Sequence, residues 1–526
     1  MNADSSLSNG LPDIVIGAGI GGLATALRLA SAGRRVCVLD KEPRPGGKVR
    51  EIGGVAAGPT VLTLRWVFDE LFAESGARLG DHVTLRPLPC LARHFWTDGS
   101  QLDLFADESQ SAEAIRAFAG PKAEREFLSF TARARRLFEG FLDPMMRAPV
   151  PRATTLAAHV IRHPRLIRDM APANTLDALL KDSFTDPRLR QLFGRYATYV
   201  GGSPYRSPAL LALIWQAEAA GVWAIDGGIA ALAKALAERI QALGGEVRLS
   251  TPVSEIETRS GRAQAVRLSD GTRIAARSVT FNGDPRALAL GLLGPDAQAA
   301  LPKAILRIER SLSAEVWSFR ARIGGPELSH HNVFFRDDPC PEFEALAAGK
   351  TAPDPTLYLC AQDRLPGRPL PDQDRIQIIA NASPLAQEPP TPEEDPPCPT
   401  RIFSTLTRFG TTFSPEPDGT ARQTAPDFEV LSPGSAGSLY GQSPHGMMAA
   451  FQRPTARTAI DGLYLAGGGT HPGAGVPMAA LSGQHAAAAI LTDRASTSRS
   501  RRTATPGGIS TASATMAAAP SRSSPS

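Results

Sequence analysis

The fold is decided by residues 13–48, which read DIVIGAGIGGLATALRLASAGRRVCVLDKEPRPGGK. The apolar run at residues 14–16 predicts a buried strand, and the apolar spacing over residues 23–32 predicts a helix. Residues 36–39 predict a second strand that ends at Asp40. A G-x-G-x-x-G turn joins the first strand to the helix, so the whole stretch has the form of a dinucleotide-binding unit.

Each glycine of the turn has its own physical role in this interpretation. Gly17 permits the tight turn, Gly19 leaves room for a pyrophosphate to approach the backbone, and Gly22 lets the helix pack closely on the strand. The start of the helix offers free N–H groups and the positive end of its dipole to the phosphates. Asp40 is predicted to accept hydrogen bonds from an adenosine ribose.

The segment after the second strand, Pro45-Gly46-Gly47-Lys48, extends this site. A surface turn is the ordinary interpretation of such a segment. Its position directly after the strand favours a second contact to the same pyrophosphate, made by the glycine backbone and the lysine ammonium.

A second glycine-rich stretch lies near the other end of the chain, where residues 462–478 read GLYLAGGGTHPGAGVPM. A short strand is predicted to lead into this turn, and a helix to run from about Val476 through Ile490. Packing alone does not readily explain two such stretches. They fit one extended cofactor, with its adenosine and pyrophosphate at the first stretch and its ring and ribityl part at the second.

Composition and charge narrow the class of protein. The chain has 526 residues and a net charge of +4, which gives no argument for a nucleic-acid partner. The polar start of the sequence lacks a signal-peptide pattern, and no stretch has the ~20 apolar residues that cross a bilayer. We therefore expect a cytoplasmic protein that is soluble or lies on a membrane face.

Two further patterns have competing interpretations. His330 and His331 are adjacent, but neighbours on a strand point to opposite faces, so no metal site is predicted. Residues 210–215, LLALIW, are strongly apolar. They suit a buried core, the wall of an apolar substrate site, or a face that lies on a membrane.

Four segments carry a resemblance to a known family: VIGAGIGGLATALRL, EPRPGGK, AGPTVLT and THPGAGVPMAALSG. Together they resemble the bacterial phytoene desaturase family of carotenoid dehydrogenases, which bind FAD. The segments GPTVLTLRWVFDELF, RHFW, HHNVFF and LYLCAQDR are more similar to its hydroxyneurosporene (methoxyneurosporene, 1-hydroxycarotenoid) 3,4-desaturase branch. One departure is Met478, where many phytoene desaturases have glycine.

The resemblance implies an α/β fold of the amine-oxidase-like two-domain type, with a discontinuous Rossmann-like FAD-binding domain and a mixed α+β substrate domain. The FAD-binding domain is predicted to comprise residues 12–85, 226–290 and 456–492. The other predicted parts are a helical substrate-binding and membrane-associated part at residues 86–225, a second part of the substrate domain at residues 291–455, and a disordered tail at residues 493–526.

The resemblance also implies a set of FAD contacts. The residues predicted to make them are Gly17, Gly19, Gly22, Asp40, Lys41, Gly46, Gly47, Lys48, Gly58, Pro59, Thr60, Val253, Gly467, Gly469, Val476, Pro477 and Met478. Candidates for a proton-handling role are His94 and Arg93, with a structural histidine and a solvated arginine as the alternative.

The implied reaction is desaturation of a C–C single bond beside a conjugated polyene, in a lipophilic C40 carotenoid such as hydroxyneurosporene. A hydride would pass to FAD, and a quinone or oxygen would take up the electrons. Because the substrate resides in the bilayer, peripheral contact with the inner membrane face is expected. The alternatives are a phytoene desaturase of different step number, an FAD amine oxidase, and a carotenoid or retinoid isomerase or lipid carrier on the same fold.

Overall fold

The computed structural model describes residues 10–386 and 399–502. Its first domain is built on a five-stranded parallel sheet. In spatial order the strands are Leu463–Leu465, Ser278–Phe281, Asp13–Ile16, Val36–Leu39 and Glu246–Arg248. Strands from three separate stretches of the chain share this sheet, so the domain is discontinuous, as the resemblance implies.

Buried aliphatic side chains account for the central strands. Asp13–Ile16 and Val36–Leu39 are buried along their whole length, as parallel strands covered on both faces require. One face of the sheet packs under the helices Ile20–Ser31, Ile229–Ala242 and Val476–Arg502. The other face packs under an antiparallel sheet of three strands, Val253–Arg259, Arg262–Leu268 and Arg273–Ala275.

The two ends of the chain meet where helix Val476–Arg502 packs on helix Ile20–Ser31. A Cβ at Gly483 would lie 2.2 Å from the Gly21 carbonyl oxygen, so the helices approach more closely than a side chain allows. Thr25 Oγ1 donates a hydrogen bond to the Gly483 carbonyl at 3.1 Å. This contact brings the second glycine-rich stretch to the first.

The second domain contains a mixed sheet of eight strands. It includes an antiparallel hairpin, Cys90–Phe95 and Gln101–Phe105, whose turn contains Gly99 at φ 81°. Continuing from Cys90–Phe95, the neighbouring strands are His331–Phe334, Leu357–Ala361, Asp374–Ala382, Ser313–Gly324 and Thr412–Ser414, and Arg422–Gln423 also pairs with Ser313–Gly324. Two short pairs complete the strands: Glu51–Ile52 with Val55–Ala56, and Leu85–Pro87 with Trp223–Ile225.

Helices from residues 108–219 cover one face of this mixed sheet. The longest, Glu108–Phe141, is interrupted at Gly120, which has φ 88° and precedes Pro121. The others are Leu142–Arg147, Ala153–Arg162, Pro164–Met170, Leu176–Ser183, Pro187–Gly194, Arg195–Val200, Ala209–Ala212 and Leu213–Ala219. Within residues 10–386 and 399–502, no helix is both long and apolar enough to span a bilayer.

Shorter helices connect the remaining strands of both domains. They are Trp66–Glu74, Leu79–Asp81, Pro285–Ala289, Asp296–Ala300, Lys303–Arg307, Cys340–Ala347, Pro399–Arg408, Gly419–Ala421, Ala425–Leu431 and Ala449–Gln452.

The last helix extends into the segment predicted to be a disordered tail. The disordered segment was predicted from Asp493, but helix Val476–Arg502 continues through this position. Arg457 donates to the Asp493 carboxylate at 2.7 Å, and the Tyr464 hydroxyl donates to it at 3.0 Å. These contacts hold the helix against the sheet. Amino-acid composition, on which the prediction is based, does not reveal such contacts. The prediction is therefore wrong for residues 493–502, and residues 503–526 lie outside the described residues.

Candidate functional site

The G-x-G-x-x-G turn lies at the carboxyl end of the central strand Asp13–Ile16. Gly17 has φ 100°, a conformation that glycine adopts without strain. A Cβ at Gly22 would lie 2.1 Å from the Gly17 carbonyl oxygen, and one at Gly19 would lie 2.7 Å from Asn282 Nδ2. The turn therefore presents bare backbone at the start of a helix, which is the arrangement that a pyrophosphate requires.

Gly46 and Gly47 pack directly against this turn. The Gly46 N–H donates to the Ala18 carbonyl at 2.8 Å. A Cβ at Gly47 would lie 3.3 Å from Gly19 Cα. The two glycine segments thus form one continuous backbone surface.

Lys48 follows these glycines and adds a cation. Its ammonium donates to the Leu439 carbonyl at 2.7 Å. Burial lowers the pKa of Lys48 to about 8; Arg310 acts in the same direction, and Asp284 opposes it. A neighbouring anion such as a phosphate would favour the charged ammonium and offset this effect of burial.

Asn282 joins the two glycine-rich stretches and has no role in the sequence prediction. A Cβ at Gly21 would lie 2.6 Å from the Gly467 nitrogen and 2.7 Å from Asn282 Oδ1. Asn282 Nδ2 donates to the Gly17 carbonyl at 3.2 Å, whereas its buried Oδ1 has no partner among the described residues. The signal in the sequence is a polar residue directly after the buried strand Ser278–Phe281, at the sheet edge where ligands bind.

The adenosine end of the predicted site holds Asp40 and Val253, whereas the Lys41 ammonium has a different partner. The Asp40 carboxylate accepts from the Ala18 and Glu42 N–H groups, and burial raises its pKa. The Asp40 carbonyl accepts from the Thr251 N–H at 2.7 Å, just before the strand that Val253 begins. Lys41 is exposed and donates to the Val430 carbonyl at 2.6 Å.

The predicted flavin end consists of two turns. A Cβ at Gly58 would lie 2.1 Å from the Lys48 carbonyl oxygen, which fixes the Gly58-Pro59-Thr60 turn against the first site. In the second turn Gly467 has φ 105°, and a Cβ at Gly469 would lie 2.7 Å from Pro285 Cδ. The helix behind this turn begins at Val476, as predicted.

A cavity of about 790 Å³ adjoins both turns, a volume within the usual range for a small-molecule site. Pro59 and Thr60 line it, as do Val476, Pro477 and Met478 of the second turn. Most of the remaining wall is apolar and aromatic, including Phe138, Phe141, Met145, Leu180, Leu210, Leu211, Leu213, Ile214, Phe335 and Phe343. Four residues of the 210–215 run therefore form a wall of the cavity, and Trp215 of the same run is buried in the core.

A polar cluster interrupts this apolar wall. It consists of Arg195, Tyr196, Tyr199 and Glu218 and is called the Arg195 cluster below. Arg195 Nη2 donates to the Tyr199 hydroxyl at 3.0 Å, and the Tyr196 hydroxyl donates to Glu218 Oε1 at 2.8 Å. Burial raises the pKa of Glu218, although Arg195 and both tyrosines oppose this shift.

Tyr358 connects the Arg195 cluster to the flavin-side turn. Its hydroxyl lies 2.6 Å from Thr60 Oγ1 and 2.6 Å from His331 Nδ1. The Arg195 guanidinium carbon lies 5.7 Å from the centre of the Tyr358 ring. One tyrosine therefore separates the Arg195 guanidinium from the turn predicted to contact the flavin.

The model of the family described as flavin containing amine oxidoreductase matches residues 20–314 and 429–491. The chain belongs to this family. Its cofactor is FAD, and the protein is an oxidoreductase. The glycine surface, the unpaired Asn282 Oδ1 and the Lys48 ammonium are the features of the structure that fit this cofactor.

Curated relatives of this flavoprotein confirm the resemblance to carotenoid desaturases. It is 52% identical over 491 residues to a hydroxyneurosporene desaturase of Cereibacter sphaeroides, covering 92% of this chain and 98% of the relative. It is 43% identical over 513 residues to the one of Rubrivivax gelatinosus, covering 95% and 97%. Cyclohexylamine oxidase of Brevibacterium oxydans shares the fold, with a TM-score of 0.54, 16% identity and coverage of 92% and 99%.

Neither proton-handling candidate is among the described residues that line the cavity of the flavoprotein. His94 is fully buried behind Phe335, with its ring 5.9 Å from that ring, and its Nδ1–H donates to the Leu102 carbonyl at 3.0 Å. Burial lowers the pKa of His94 to about 3. Arg93 donates to Asp103 at 2.8 Å and to the Glu327 carbonyl at 2.8 Å. These placements favour the structural alternative for both residues.

The adjacent histidines are closer together than strand alternation predicts, because the strand begins only at His331. Their ring centres are 4.6 Å apart, and His330 Nε2 lies 3.6 Å from Cys360 Sγ. Burial lowers the pKa of His330 to about 4 and raises that of Cys360 to about 12. His330, His331 and Cys360 each offer a ligand atom within 4.8 Å of the others, and the absence of a metal site stays a prediction.

Arg453 is a further residue of the site that the sequence prediction did not include. Its guanidinium donates to the Gly468 carbonyl at 2.8 Å and to the Tyr440 and Gln442 carbonyls at 3.1 Å. Burial lowers its pKa to about 10. No sequence motif surrounds it, so only the folded chain reveals that this cation lies behind the second glycine turn.

Proposed function

We propose that this oxidoreductase is an FAD-dependent carotenoid desaturase that introduces a double bond at C-3,4 of acyclic 1-hydroxy- or 1-methoxy-carotenoids such as hydroxyneurosporene. One structural observation carries the proposal: a largely apolar cavity begins at the two flavin-side turns and extends along the helical wall. An elongated hydrocarbon fits such a wall, because apolar contact is the main source of its binding free energy. The names of the curated relatives support the same substrate class.

The chain's own contribution to this chemistry is binding, orientation and exclusion of water. Bound FAD would supply a hydride acceptor, and the substrate would lose its second hydrogen as a proton when the C–C bond becomes double. The apolar wall would hold the polyene beside the Pro59-Thr60 turn in a fixed orientation. A quinone or oxygen would then take up the two electrons.

Anaerobic mixing with 1-hydroxyneurosporene tests the proposal. We expect the flavin absorbance to bleach as the polyene absorption shifts to the red, because hydride loss extends the conjugation by one double bond. Chromatography of the pigment should show a product that is two hydrogens poorer. Unhydroxylated phytoene in a parallel mixture distinguishes a desaturase of different step number.

Three other results would contradict the proposal. A change of polyene isomer with the flavin still oxidised would indicate an isomerase. Binding of the carotenoid without any spectral change in flavin or polyene would indicate a carrier. Bleaching by a primary amine, but by no carotenoid, would indicate an amine oxidase.

We also propose that the enzyme lies on the cytoplasmic face of the inner membrane through helices Ala153–Arg162 and Pro164–Met170. Ile161 is 72% exposed and Ile167 43% exposed. The exposed arginines of this segment are Arg152, Arg162, Arg165 and Arg168. Exposed isoleucines among arginines suit an interface with anionic lipid. The preceding segment holds Met145 and Met146, which line the cavity, so this face adjoins the substrate site.

Sedimentation with phosphatidylglycerol vesicles tests the membrane contact. The double variant Ile161→Glu, Ile167→Glu should bind the vesicles at least about tenfold more weakly, because two apolar side chains leave the interface. The control Leu370→Glu changes a residue that is 60% exposed elsewhere and should bind like the wild type. Equal binding of all three proteins would refute this location of the membrane face.

A further inference from the structure

The cavity contains one arginine whose hydrogen bonding differs from that of the others. Among the described lining residues, Arg188 is paired with Asp186, Arg190 donates to the Phe184 and Thr185 carbonyls, and Arg453 donates to three carbonyls. Among the described residues, the Arg195 side chain donates a hydrogen bond only to the Tyr199 hydroxyl. Its guanidinium therefore retains donors for a ligand, since it carries five N–H groups.

The Arg195 cluster holds this cation in place without neutralising it by direct contact. The guanidinium carbon lies 5.0 Å from the centre of the Tyr199 ring and 5.7 Å from that of Tyr358. Aromatic faces attract a cation and fix its position. Glu218 is 2% exposed and interacts electrostatically with Arg195, while the Tyr196 hydroxyl donates to one of its oxygens. Glu218 Oε2 has no partner among the described residues.

A cation in an apolar cavity is costly to bury unless a polar group pairs with it. Most of the cavity wall is apolar and suits a hydrocarbon. A hydrocarbon alone, however, has no group that could pair with an arginine. A polar atom on an otherwise apolar ligand would supply the missing partner. The oxygen of the proposed substrate is such an atom.

The donor character of arginine specifies the kind of oxygen. Guanidinium donates hydrogen bonds and accepts none. An alcohol oxygen and an ether oxygen both accept, whereas only the alcohol also donates. A donor-only partner therefore suits both a hydroxyl and a methoxyl, and an acceptor such as the Glu218 carboxylate would suit only the hydroxyl.

The location of Arg195 fits the bond that would react. The Tyr358 hydroxyl reaches Thr60 of the flavin-side turn at 2.6 Å, and its ring faces Arg195. In a 1-hydroxycarotenoid the oxygenated C-1 lies two bonds from C-3. An oxygen bound at Arg195 would thus bring the C-3,4 bond toward this turn.

We infer that Arg195 determines substrate specificity by holding the hydroxyl or methoxyl oxygen at the end of the carotenoid, with Tyr199 and Tyr358 positioning its guanidinium. This inference rests on the proposed function, because it assigns the group that recognises that substrate. It makes the oxygenated end group, rather than the polyene, the feature that selects the substrate.

The variant Arg195→Met tests the inference, because methionine fills a similar length without charge or N–H donors. We expect kcat/KM for a 1-hydroxycarotenoid to fall about 10- to 100-fold, the range for a hydrogen bond to a charged group. The 1-methoxy ether should lose a similar factor. The unhydroxylated polyene of equal length should be turned over as by the wild type, so that the preference for oxygenated substrates disappears.

Two conservative variants and a matched control isolate the effect. Arg195→Lys keeps a cationic donor and should recover part of the preference. Tyr199→Phe removes the hydroxyl that accepts from Arg195 and should lose less of the preference than Arg195→Met. Arg125→Met makes the same chemical change at an exposed position of helix Glu108–Phe141, outside the cavity lining, and should keep the full preference. Flavin content and unfolding temperature establish that each variant is folded.

Ligand binding separates failure of the inference from failure of the proposed function. The dissociation constant of the hydroxylated desaturation product, measured by protein fluorescence, should rise about 10- to 100-fold in Arg195→Met. That of an unhydroxylated polyene should not change. If both ligands weaken equally, or neither does, Arg195 is structural and the inference is wrong. If the wild type binds the hydroxylated pigment through Arg195 but never bleaches its flavin, the proposed function alone fails.

Discussion

The glycine turns at the two ends of the chain and the cavity wall beside them are built in different ways. In the turns the site depends on absent side chains: a Cβ at Gly22 or Gly21 would meet backbone atoms at 2.1 and 2.6 Å. In the wall the site depends on side chains that meet from distant parts of the chain, such as Arg195 and Tyr358. Backbone geometry therefore forms the predicted cofactor site, and the choice of side chain forms the wall of the cavity that we propose for the substrate.

Because of this difference, the features that bind the cofactor do not determine which substrate the protein accepts. An amine oxidase of 16% identity shares the fold, so the fold alone does not select a substrate. The wall can change by single substitutions without moving the backbone of the turns. A change in a turn should thus affect all substrates, whereas a change in the wall should affect some of them.

The largest effect is expected for Gly22→Ala. The added Cβ would lie 2.1 Å from the Gly17 carbonyl oxygen, and because that atom is backbone, the turn itself must move. We expect the purified protein to lack FAD. Its free energy of unfolding should fall by more than the ~1–3 kcal/mol typical of overpacking. Flavin absorbance and denaturant unfolding measure the two effects.

Gly80→Ala is the matched control for this change. A Cβ at Gly80 would have no atom within 4 Å, so FAD content should be normal and the free energy of unfolding should change by no more than about 0.5 kcal/mol. If Gly22→Ala retained FAD at wild-type affinity, the turns would tolerate side chains, and the distinction between the turns and the cavity wall would be wrong.

The same contrast explains what could be read from the sequence. Gly17, Gly19, Gly22, Gly46 and Gly47 could be predicted because a steric requirement of one turn appears as a local spacing of glycines. The discontinuous sheet could be predicted from buried strand patterns and the resemblance. Contacts that depend on local backbone geometry leave a local signature in the sequence.

The rest could not be predicted because it depends on long-range packing. Asn282 stands beside Gly21, and Arg195 beside Tyr358, only in the folded chain. His94 and Arg93 are polar residues on a predicted strand, but no local sequence pattern shows which face of a sheet lies on a cavity. The ammonium of Lys41 contacts the Val430 carbonyl, although its neighbour Asp40 lies at the predicted cofactor site and contacts the glycine turn.

A moderate effect is expected for Lys48→Met. The predicted FAD contacts include two side-chain cations, Lys41 and Lys48, and Lys41 is exposed. Loss of a charged hydrogen bond should weaken FAD binding to the apoprotein about 10- to 100-fold. The pKa of Lys48 is lowered to about 8, and a phosphate beside it would raise that pKa in the complex. Binding therefore takes up a proton above pH 8, and the affinity of the wild type should fall as pH rises beyond 8.

Titration of apoprotein with FAD from pH 7 to pH 10 measures this effect. The Lys48→Met variant should bind weakly with little pH dependence, whereas Lys41→Met should keep both the affinity and the pH dependence of the wild type. Equal losses in the two lysine variants would show that the backbone surface does not direct the pyrophosphate toward Lys48.

The smallest effect is expected for the double variant His94→Leu, Arg93→Met. This variant tests whether the two residues belong to the cavity wall or to the core behind it. His94 lies one layer behind Phe335, and Arg93 is paired with Asp103, so neither group reaches the cavity as the structure describes it. Loss of the hydrogen bond to the Leu102 carbonyl should cost about 1–3 kcal/mol of unfolding free energy. A residue that transfers a proton contributes about 10²- to 10⁴-fold to the rate. Single-turnover bleaching of the flavin by 1-hydroxycarotenoid should nevertheless proceed at the wild-type rate, and a 10²-fold loss in a folded, flavin-replete variant would return both residues to the site.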